Sequence, residues 1–307
     1  MQTILGAGGA IGIPLAKELK NYTGRIRLVG RNPKKVNETD ELFTCDLMDK
    51  KQTQQALQGT DVAYLTVGLK YDLKTWKRDW PVVMQNVIDA CLHNNCRLVF
   101  LDNVYMYGLE SIPHMTENSA INPPSKKGKI RAQLVQMIFD SIETKGLKAL
   151  IARSADFYGP DAHSSAFTIG VMDKIVKNKK PFWQANAHTI HSMTYTPDAA
   201  KALALLGNTD NAYNQTWHLP TSTEKLTGED YIKITATLLN KPFKYQVYSK
   251  GFMGFLGIFM PSLKELHEML YQNDRDYFFD SAKFTNTFNF QPARYADGIR
   301  EIIKNIK

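Results

Sequence analysis

The 307-residue sequence predicts an α/β fold with a doubly wound parallel sheet and a smaller, interleaved C-terminal lobe. Two observations support this fold class. Short apolar runs alternate with amphipathic stretches through the first half of the chain, and these runs are nearly continuous, as in strands that are buried on both faces. After residue 158 the alternation becomes looser, which indicates that the second half folds mainly as a separate lobe.

The individual elements follow from apolar spacing and from turn residues. Strands are expected at 3–5, 25–30, 41–47, 61–68, 96–103 and 147–153. Helices are indicated where apolar residues recur every three or four positions, and the two longest cover roughly 74–94 and 125–145. In the second half, helices are expected near 164–177, 197–206, 228–239 and 262–272, and short strands at 213–219 and 243–248.

Two domains are therefore predicted. Residues 1–158 form the sheet domain, and residues 159–307 form mainly the second lobe, with segments that return to the sheet. The second half is richer in aromatic residues and would cover the carboxyl edge of the sheet, where open α/β proteins bind ligands. The apolar run at 251–261 is only about half as long as a membrane span and predicts either part of a lid or core packing.

Composition narrows the class of protein. With 43% hydrophobic and 22% charged residues, the chain is typical of a soluble globular protein. The net charge of +8 favours anionic ligands such as nucleotides, but no basic tract interleaved with aromatic residues predicts nucleic-acid binding. The three cysteines form no CxxC pair and predict buried thiols in a reducing compartment. Since a strand begins directly after Met1, we expect a cytoplasmic protein with no membrane partner.

A glycine-rich turn follows the first strand. In "ILGAGGAIG" (4–12), Gly6 allows a tight turn, Gly9 lets the backbone approach a pyrophosphate, and Gly12 lets the next helix pack against the strand. The strand–turn–helix context predicts dinucleotide binding to a Rossmann-type sheet. The predicted contacts in this turn are Gly6, Gly8, Gly9, Ala10, Ile11 and Gly12.

The end of the second strand predicts which dinucleotide binds. An acidic residue there would bind the ribose hydroxyls of NAD, but "LVGRNPKK" has Gly30 in that place, followed by Arg31. An arginine suits the additional 2′-phosphate of NADP, and the repulsion that a carboxylate would exert is absent. We therefore predict NADP(H), with NAD as the alternative cofactor. In the opposing interpretation, Arg31 only points into solvent.

Further motifs follow in a recognisable order along nearly the whole chain. They are "CDLMD" (45–49), "YLTVG" (64–68), "VFLDNVYMYG" (99–108), "RSADFYGP" (153–160) and "TYTPDAAKAL" (194–203). Together with the three-residue glycine spacing, they resemble the extended short-chain dehydrogenases/reductases, the NAD(P)-dependent epimerases and dehydratases of nucleotide sugars. The resemblance implies that Asp46 and Leu47 flank the adenine and that the segment containing Thr66 runs under the cofactor.

The chain departs from this family at the positions that carry the chemistry. The family usually has serines in the fifth strand where this chain has Asp102 and Asn103, and its active-site helix opens Y-x-x-x-K where this chain has Ser125-x-x-x-Lys129. None of the 14 tyrosines is followed by a lysine four residues later. A serine hydroxyl is far less acidic than a phenol and cannot replace it as a proton donor. The resemblance implies that Lys129 still binds the nicotinamide ribose.

Other groups could transfer the proton. Tyr105 lies two residues beyond Asn103, so both side chains would point the same way in an extended strand. Tyr158 offers a second phenol, and Asp156 replaces the family's asparagine in the same motif, where burial could raise its pKa. For each, the alternative is a structural side chain. The candidate catalytic residues are Asn103, Tyr105, Lys129, Asp156 and Tyr158.

The histidines predict no metal site. His188 and His191 are three residues apart, but no further Cys, His or carboxylate completes a convincing ligand set, so both are expected at a cleft rim or on the surface. His163 follows the sixth-strand motif, where the resemblance implies a loop that contacts the substrate.

Three hypotheses for function remain. The first is an NADP(H)-dependent oxidoreductase or epimerase/dehydratase-like enzyme with an atypical active site, acting on a small or sugar-like carbonyl or hydroxyl substrate. The second is a non-catalytic NADP(H)-binding redox sensor or regulatory protein. The third is a scaffold that binds a partner through 251–260. The retained Lys129, Asp156 and Tyr158 favour the enzyme. The resemblance also implies a homodimer formed through the helices at 74–94 and 125–145.

Overall fold

A computed structural model describes residues 1–306, with the side chains of all of them except 261 and 262. The chain divides into two compact units, each built from three segments. The first unit contains Met1–Met106, Lys126–Ser154 and Ala199–Leu219. The second contains Tyr107–Ser125, Ala155–Asp198 and the chain from Pro220 onwards.

The strands and helices of the described residues alternate as the sequence predicts in the first half. The strands are β1 (Gln2–Leu5), β2 (Ile26–Gly30), β3 (Glu41–Thr44), β4 (Val62–Leu65), β5 (Arg97–Asp102), β6 (Ala149–Arg153), β7 (Asp156–Tyr158), β8 (Phe182–Gln184), β9 (Met193–Tyr195), β10 (Thr216–His218) and β11 (Gln246–Tyr248). The helices are α1 (Gly12–Leu19), α2 (Lys50–Ala56), α3 (Leu73–His93), α4 (Lys126–Lys145), α5 (Asp173–Val176), α6 (Thr196–Gly207), α7 (Gly228–Leu238), α8 (Lys250–Phe259), α9 (Pro261–His267), α10 (Ala282–Phe288) and α11 (Tyr295–Asn305).

A seven-stranded sheet forms the centre of the first unit. Its strand order is β10-β6-β5-β4-β1-β2-β3, and all neighbouring strands run parallel. The predicted fold class, a doubly wound parallel sheet, is confirmed. The direction of winding reverses between β1 and β4, and in such sheets ligands bind in the crevice at the carboxyl ends of the strands beside this point.

Helices α3 and α4 are the long helices of the first unit, and they pack against each other. Helix α3 begins after Asp72, whose carboxylate accepts a hydrogen bond from the backbone amide of Thr75 at 2.8 Å. Helix α4 buries one face along its length. That face consists of Lys127, Gly128, Ile130, Arg131, Leu134, Val135, Ile138 and Ser141.

The second unit has a core of its own and two small parallel strand pairs, β7 with β9 and β8 with β11. Aromatic rings supply much of this core, as the aromatic-rich composition of the second half indicates. The largest buried rings are Tyr158, Phe167, Trp183, Tyr231 and Tyr295.

The observed units differ from the predicted domain boundary at residue 158. Residues 107–125 belong to the second unit because their backbone pairs with a later segment: Met115 donates to the carbonyl of Phe278, and Phe278 donates to the carbonyl of Ile112. Ala199–Leu219 belongs to the first unit and contributes β10 to the main sheet; a return of later segments to the sheet is part of the prediction.

Several predicted elements are shorter than expected. Strand β3 ends at Thr44, so Asp46 and Leu47 lie in the following loop. The helix expected at 164–177 consists of a π-helix over Thr168–Met172 followed by α5. The helix expected at 262–272 divides into α9 and a 3-10 turn at Leu270–Gln272.

The apolar run at 251–260 forms helix α8, and core packing does not account for it. Phe255, Ile258 and Phe259 on one face are 60%, 75% and 71% exposed. The opposite face packs through small residues against α9, since a Cβ on Gly257 would lie 3.2 Å from the backbone of Lys264. No helix of the described residues is long and apolar enough to cross a bilayer.

Candidate functional site

The glycine turn has the backbone geometry that dinucleotide binding requires. Gly6 has a φ of +104°, and a Cβ there would lie 2.5 Å from the backbone of Val67. A Cβ on Gly12 would lie 2.7 Å from the backbone of Ala7, so only glycine lets α1 start this close to the strand. By contrast, Gly8 and Gly9 are exposed, and a Cβ on either would meet no atom closer than 3.8 Å. The turn is therefore tight against the protein and open on its outer side.

The first turn of α1 faces this open side without competing groups. No side chain caps the helix, and its first turn contains no acidic residue. The Ile13 amide already donates to the carbonyl of Gly9 and Pro14 has no N–H, but the positive end of the helix dipole favours an anion. The residues present therefore fit a pyrophosphate, with the amides of residues 8–12 as donors.

Arg31 lies next to the glycine turn. The amides of Gly6 and Ala7 both donate to the carbonyl of Val29, at 3.0 and 3.4 Å, which places the end of β2 directly beside the turn. Arg31 is exposed and forms no ion pair with the side chains that the structure describes. The nearby carboxylate of Asp40 accepts hydrogen bonds from the amides of Val36 and Asn37, so that acidic group is occupied by the local backbone.

Thr66 also contacts the turn, whereas Asp46 and Leu47 lie farther along the sheet edge. The Thr66 amide donates to the carbonyl of Leu5 at 2.9 Å, and its hydroxyl lies 3.4 Å from the carbonyl of Gly6. Asp46 is exposed and accepts from the amide of Met48 at 3.0 Å, while the Leu47 side chain is buried. The structure thus brings Thr66, the glycine turn and Arg31 together.

Asp102 at the end of β5 is the centre of a buried ion cluster. Its carboxylate accepts from Nε of Arg131 at 2.7 Å, and Nε of Arg153 lies 3.5 Å from its other oxygen. The Arg131 guanidinium also packs over the rings of Trp80 and Phe100, at 4.6 and 4.8 Å from their centroids. All three charged side chains are buried, and Asp102 therefore anchors α4 to the sheet.

The chain turns immediately after β5, which changes the expected direction of Tyr105. An extended segment is expected here, but Asn103 Oδ1 accepts a hydrogen bond from the amide of Tyr105 at 3.0 Å and closes a turn. The Tyr105 ring stacks on Trp76 with centroids 6.2 Å apart. Asn103 and Tyr105 are therefore not two parallel side chains of one strand.

Helix α4 presents different residues to the interior from those expected. Lys129 is exposed, on the side of α4 away from the buried face, so its orientation differs from the one that the Y-x-x-x-K comparison implies. The inward residues are Lys127 and Arg131, which are also four positions apart. The Lys127 side chain is 0% exposed, and its Nζ lies 4.9 Å from the ring centroid of Tyr71.

Tyr71, Trp76, Trp80 and Tyr105 form a group of rings that we call the aromatic cluster. Tyr71 and Trp76 meet edge to face at 5.5 Å, and Trp76 contacts Trp80 in the same way at 6.2 Å. These rings come from the segment after β4, from α3 and from the turn after β5. The cluster thus lies at the carboxyl ends of β4 and β5, and Lys127 and Arg131 contact two of its rings.

Tyr158 lies in the core of the second unit. It contacts Phe167, Tyr195 and Tyr295, with centroids 5.2 to 6.2 Å apart. Burial raises its pKa well above the ordinary value of a tyrosine. Its hydroxyl is buried without a hydrogen-bond partner among the described residues. These contacts give Tyr158 a packing role.

Asp156 is paired with His191, which is expected from the sequence at a cleft rim or on the surface. His191 is only 3% exposed; its Nε2 lies 2.9 Å from Oδ2 of Asp156, and its ring stacks on Tyr277 at 4.4 Å. The Asp156 side chain is 39% exposed, so this carboxylate is accessible to solvent while the imidazole that it contacts is buried. The two residues are far apart in sequence, and only tertiary packing brings them together. His188 is exposed, as expected, and pairs with Glu229.

Ser125, at the expected tyrosine position, is buried and lies in the second unit. Its hydroxyl lowers the pKa of the Tyr271 phenol, but burial has the larger effect and raises that pKa overall. Tyr271 is a further phenol that sequence spacing did not single out. Within residues 1–306 whose side chains are described, no group of three or more Cys, His, Asp or Glu is placed to hold a metal ion.

The sheet order and the glycine turn define a Rossmann-type α/β protein. A comparison with family models then identifies the family: the model described as the NAD dependent epimerase/dehydratase family matches residues 3–217. Because this match covers well over half of the chain, the protein belongs to the NAD dependent epimerase/dehydratase family. Among curated protein sequences, none matches this chain.

Solved structures of epimerases and dehydratases share the fold at low sequence identity. UDP-N-acetylglucosamine 4-epimerase from Methanobrevibacter ruminantium M1 has a TM-score of 0.80 and 16% identity, covering 99% of this chain and 97% of its own. UDP-glucuronic acid 4-epimerase from Bacillus cereus also has a TM-score of 0.80 and 16% identity, covering 100% and 99%. A dTDP-glucose 4,6-dehydratase from Streptomyces venezuelae has a TM-score of 0.79 and 15% identity, covering 99% and 96%.

Proposed function

We propose that this protein is an NADP(H)-dependent oxidoreductase or epimerase/dehydratase-like enzyme with an atypical active site. Its substrate would be a small or sugar-like molecule with a carbonyl or hydroxyl group. Family membership supports the reaction class. The similar structures also support it: the Bacillus cereus enzyme is in complex with NAD, and the Methanobrevibacter enzyme is in complex with UDP-N-acetylmuramic acid.

The observation that carries the cofactor proposal is the contact between the glycine turn and the end of β2. It places the exposed Arg31 beside an open, uncapped helix start. A guanidinium at this place would bind a 2′-phosphate through charge-assisted hydrogen bonds. The residues that would hold the cofactor are Gly6, Gly8, Gly9, Ala10, Ile11, Gly12, Arg31, Asp46, Leu47 and Thr66. Bound nicotinamide would supply hydride transfer, while the protein supplies orientation and a proton relay.

A nucleotide titration tests this proposal. The affinities of NADPH and NADH are measured by tryptophan fluorescence for the wild type, Arg31→Gln and Lys34→Gln, the last being a matched exposed cation in the same loop. Arg31→Gln should weaken NADPH binding about 10- to 100-fold, the loss of a charge-assisted contact, with little effect on NADH. Equal wild-type affinity for both nucleotides would remove the NADP preference. No binding of either would overturn the cofactor proposal.

Turnover separates the enzyme from the second hypothesis. The absence of any tyrosine four residues before a lysine favours a non-catalytic NADP(H)-binding redox sensor, and this hypothesis remains the alternative. Reduced-nicotinamide absorbance and product analysis would be followed with UDP- and dTDP-hexoses, aldehydes and ketones. Conversion of any of these substrates supports the enzyme. Tight NADP(H) binding without turnover across the panel would establish the sensor.

The homodimer is also a proposal. Helices α3 and α4 pack against each other, and the exposed side of this pair would form the interface in the arrangement that the resemblance implies. Val82 on α3 is 39% exposed and lies on such a surface. Light scattering after size-exclusion chromatography should give twice the monomer mass of 34.8 kDa. A wild type that is monomeric, or a dimer that Val82→Glu leaves intact, would contradict the proposed interface.

A further inference from the structure

Lys127 is a fully buried lysine beside the predicted cofactor crevice. Lysine is almost never completely buried unless it is paired. This side chain has an exposed fraction of 0%, and its ammonium group lies over the face of Tyr71. Lys126 and Lys129 on the same helix turn are both exposed. The structure therefore singles out one of three closely spaced lysines.

The spacing of the buried residues on α4 gives Lys127 a position in the site. Lys127 and Arg131 are four residues apart on one face, as a tyrosine and a lysine are in Y-x-x-x-K. Arg131 is fixed by Asp102 at the carboxyl end of β5, and Lys127 lies one turn closer to the start of the helix. The pair 127/131, rather than 125/129, thus faces the ends of the central strands.

The aromatic cluster encloses this face of the helix. Tyr71 follows β4, and its ring contacts both Lys127 and Trp76. The glycine turn is next to the same strand, because Thr66 at the end of β4 binds the carbonyls of Leu5 and Gly6. Both contacts lie within the first unit. Lys127 is therefore on the side of the sheet where a nucleotide on the glycine turn would extend.

We propose that Lys127 is the catalytic residue that transfers the proton in place of the missing tyrosine, with Arg131 as a positioning residue that Asp102 holds. This inference rests on the proposed function and specifies its proton donor. In the reducing direction, reduced nicotinamide would supply the hydride that adds to the substrate carbonyl carbon and would itself be oxidised, while the carbonyl oxygen takes a proton from Nζ of Lys127. The resulting neutral amine regains a proton from water. In the oxidising direction the amine accepts the hydroxyl proton.

The first test uses turnover with the hexose and carbonyl panel. Lys127→Met should lower kcat at least 100-fold, the lower range for loss of a positioned acid or base. Lys127→Arg should fail to the same extent, because a guanidinium keeps its charge but does not release its proton. Lys126→Met, the matched control on the exposed side, should keep wild-type turnover. Wild-type turnover in Lys127→Arg would show that this position needs only a positive charge, and it would overturn the proposal.

The second test needs no substrate. Oxidised nicotinamide carries a positive ring and reduced nicotinamide does not, so a nearby ammonium weakens NADP⁺ binding relative to NADPH. Removing the charge in Lys127→Met should therefore lower the ratio of the Kd for NADP⁺ to the Kd for NADPH, by about tenfold for a partly screened pair. Lys127→Arg should keep the wild-type ratio. Thermal melting would show that each variant is folded.

The outcomes separate this inference from the proposed function. If the wild type turns over but Lys129→Met, Tyr105→Phe or Tyr271→Phe loses activity while Lys127→Met retains it, the assignment of Lys127 is wrong and the enzyme stands. An unchanged Kd ratio in Lys127→Met places the ammonium away from the nicotinamide and also overturns the assignment. If the ratio changes but no substrate turns over in the wild type, the enzyme proposal fails together with the proton-transfer role.

Discussion

Replacing Asp102 by asparagine is expected to destabilise the protein strongly. Two guanidinium groups share this carboxylate, and the exposed fractions are 0% for Asp102, 4% for Arg131 and 1% for Arg153. Asparagine keeps the size of the side chain but removes the negative charge that faces both buried guanidinium groups. Breaking a buried ion pair by removing one partner costs about 3–5 kcal/mol. At about 2–4 °C per kcal/mol, the melting temperature should fall by roughly 6–20 °C.

The opposite end of the same strand supplies the control. Arg97 at the start of β5 binds Asp210 at 2.7 Å, but the Asp210 side chain is 97% exposed. Asp210→Asn removes the same charge from an Asp–Arg pair and should leave the melting temperature nearly unchanged, because water screens exposed pairs. Melting curves from circular dichroism would compare the two variants. Equal shifts would refute the reasoning that burial gives the Asp102 cluster its importance.

Three further predictions concern single side chains. Gly6→Ala should lower the free energy of unfolding by about 2 kcal/mol or more, because the φ of Gly6 is +104° and the new Cβ would meet Val67 at 2.5 Å. Gly8→Ala should melt like the wild type, because a Cβ there meets no atom within 4 Å. Equal melting temperatures of the two variants would contradict this prediction. Tyr158→Phe should not lower the melting temperature, since it removes a buried hydroxyl that has no partner among the described residues; a clear fall would show that the hydroxyl is bound. Burial raises the pKa of Cys45 to about 11, so at pH 8 the native thiol should react with Ellman's reagent at least about 100-fold more slowly than an ordinary cysteine, and denaturant should abolish this protection. Fast labelling of native Cys45 would contradict that result.

The sheet was predictable because its signals are local. Most strands of the first half contain a short apolar run, although β3 (ELFT) is largely exposed. The glycine turn is required by the φ of Gly6 and by the close approach of Gly12 to Ala7. The allocation of 107–125 to the second unit was not predictable in this way. Its hydrogen bonds reach residues near 278, and no local pattern encodes a pairing over that distance.

The helix orientation at the site was predictable in principle. Ile130, Leu134 and Ile138 recur every four residues, and at 100° per residue they define a face that includes 127 and 131 but lies about half a turn from 129. A motif assigned to 125 and 129 disagrees with this helical periodicity, because it places Lys129 on the exposed side of the helix. The pairing of Asp156 with His191 is different, because 35 positions separate the two residues and only the folded core joins them.

The first unit is assembled from three separate stretches of chain, and this affects how the protein can fold during synthesis. Strand β6 acquires its outer neighbour, β10, only when residue 218 has left the ribosome. Until then a nascent chain carries an unpaired strand edge that can pair with other chains. A fragment ended at residue 158 would keep that edge permanently, so we expect it to aggregate although it contains every residue of the glycine turn.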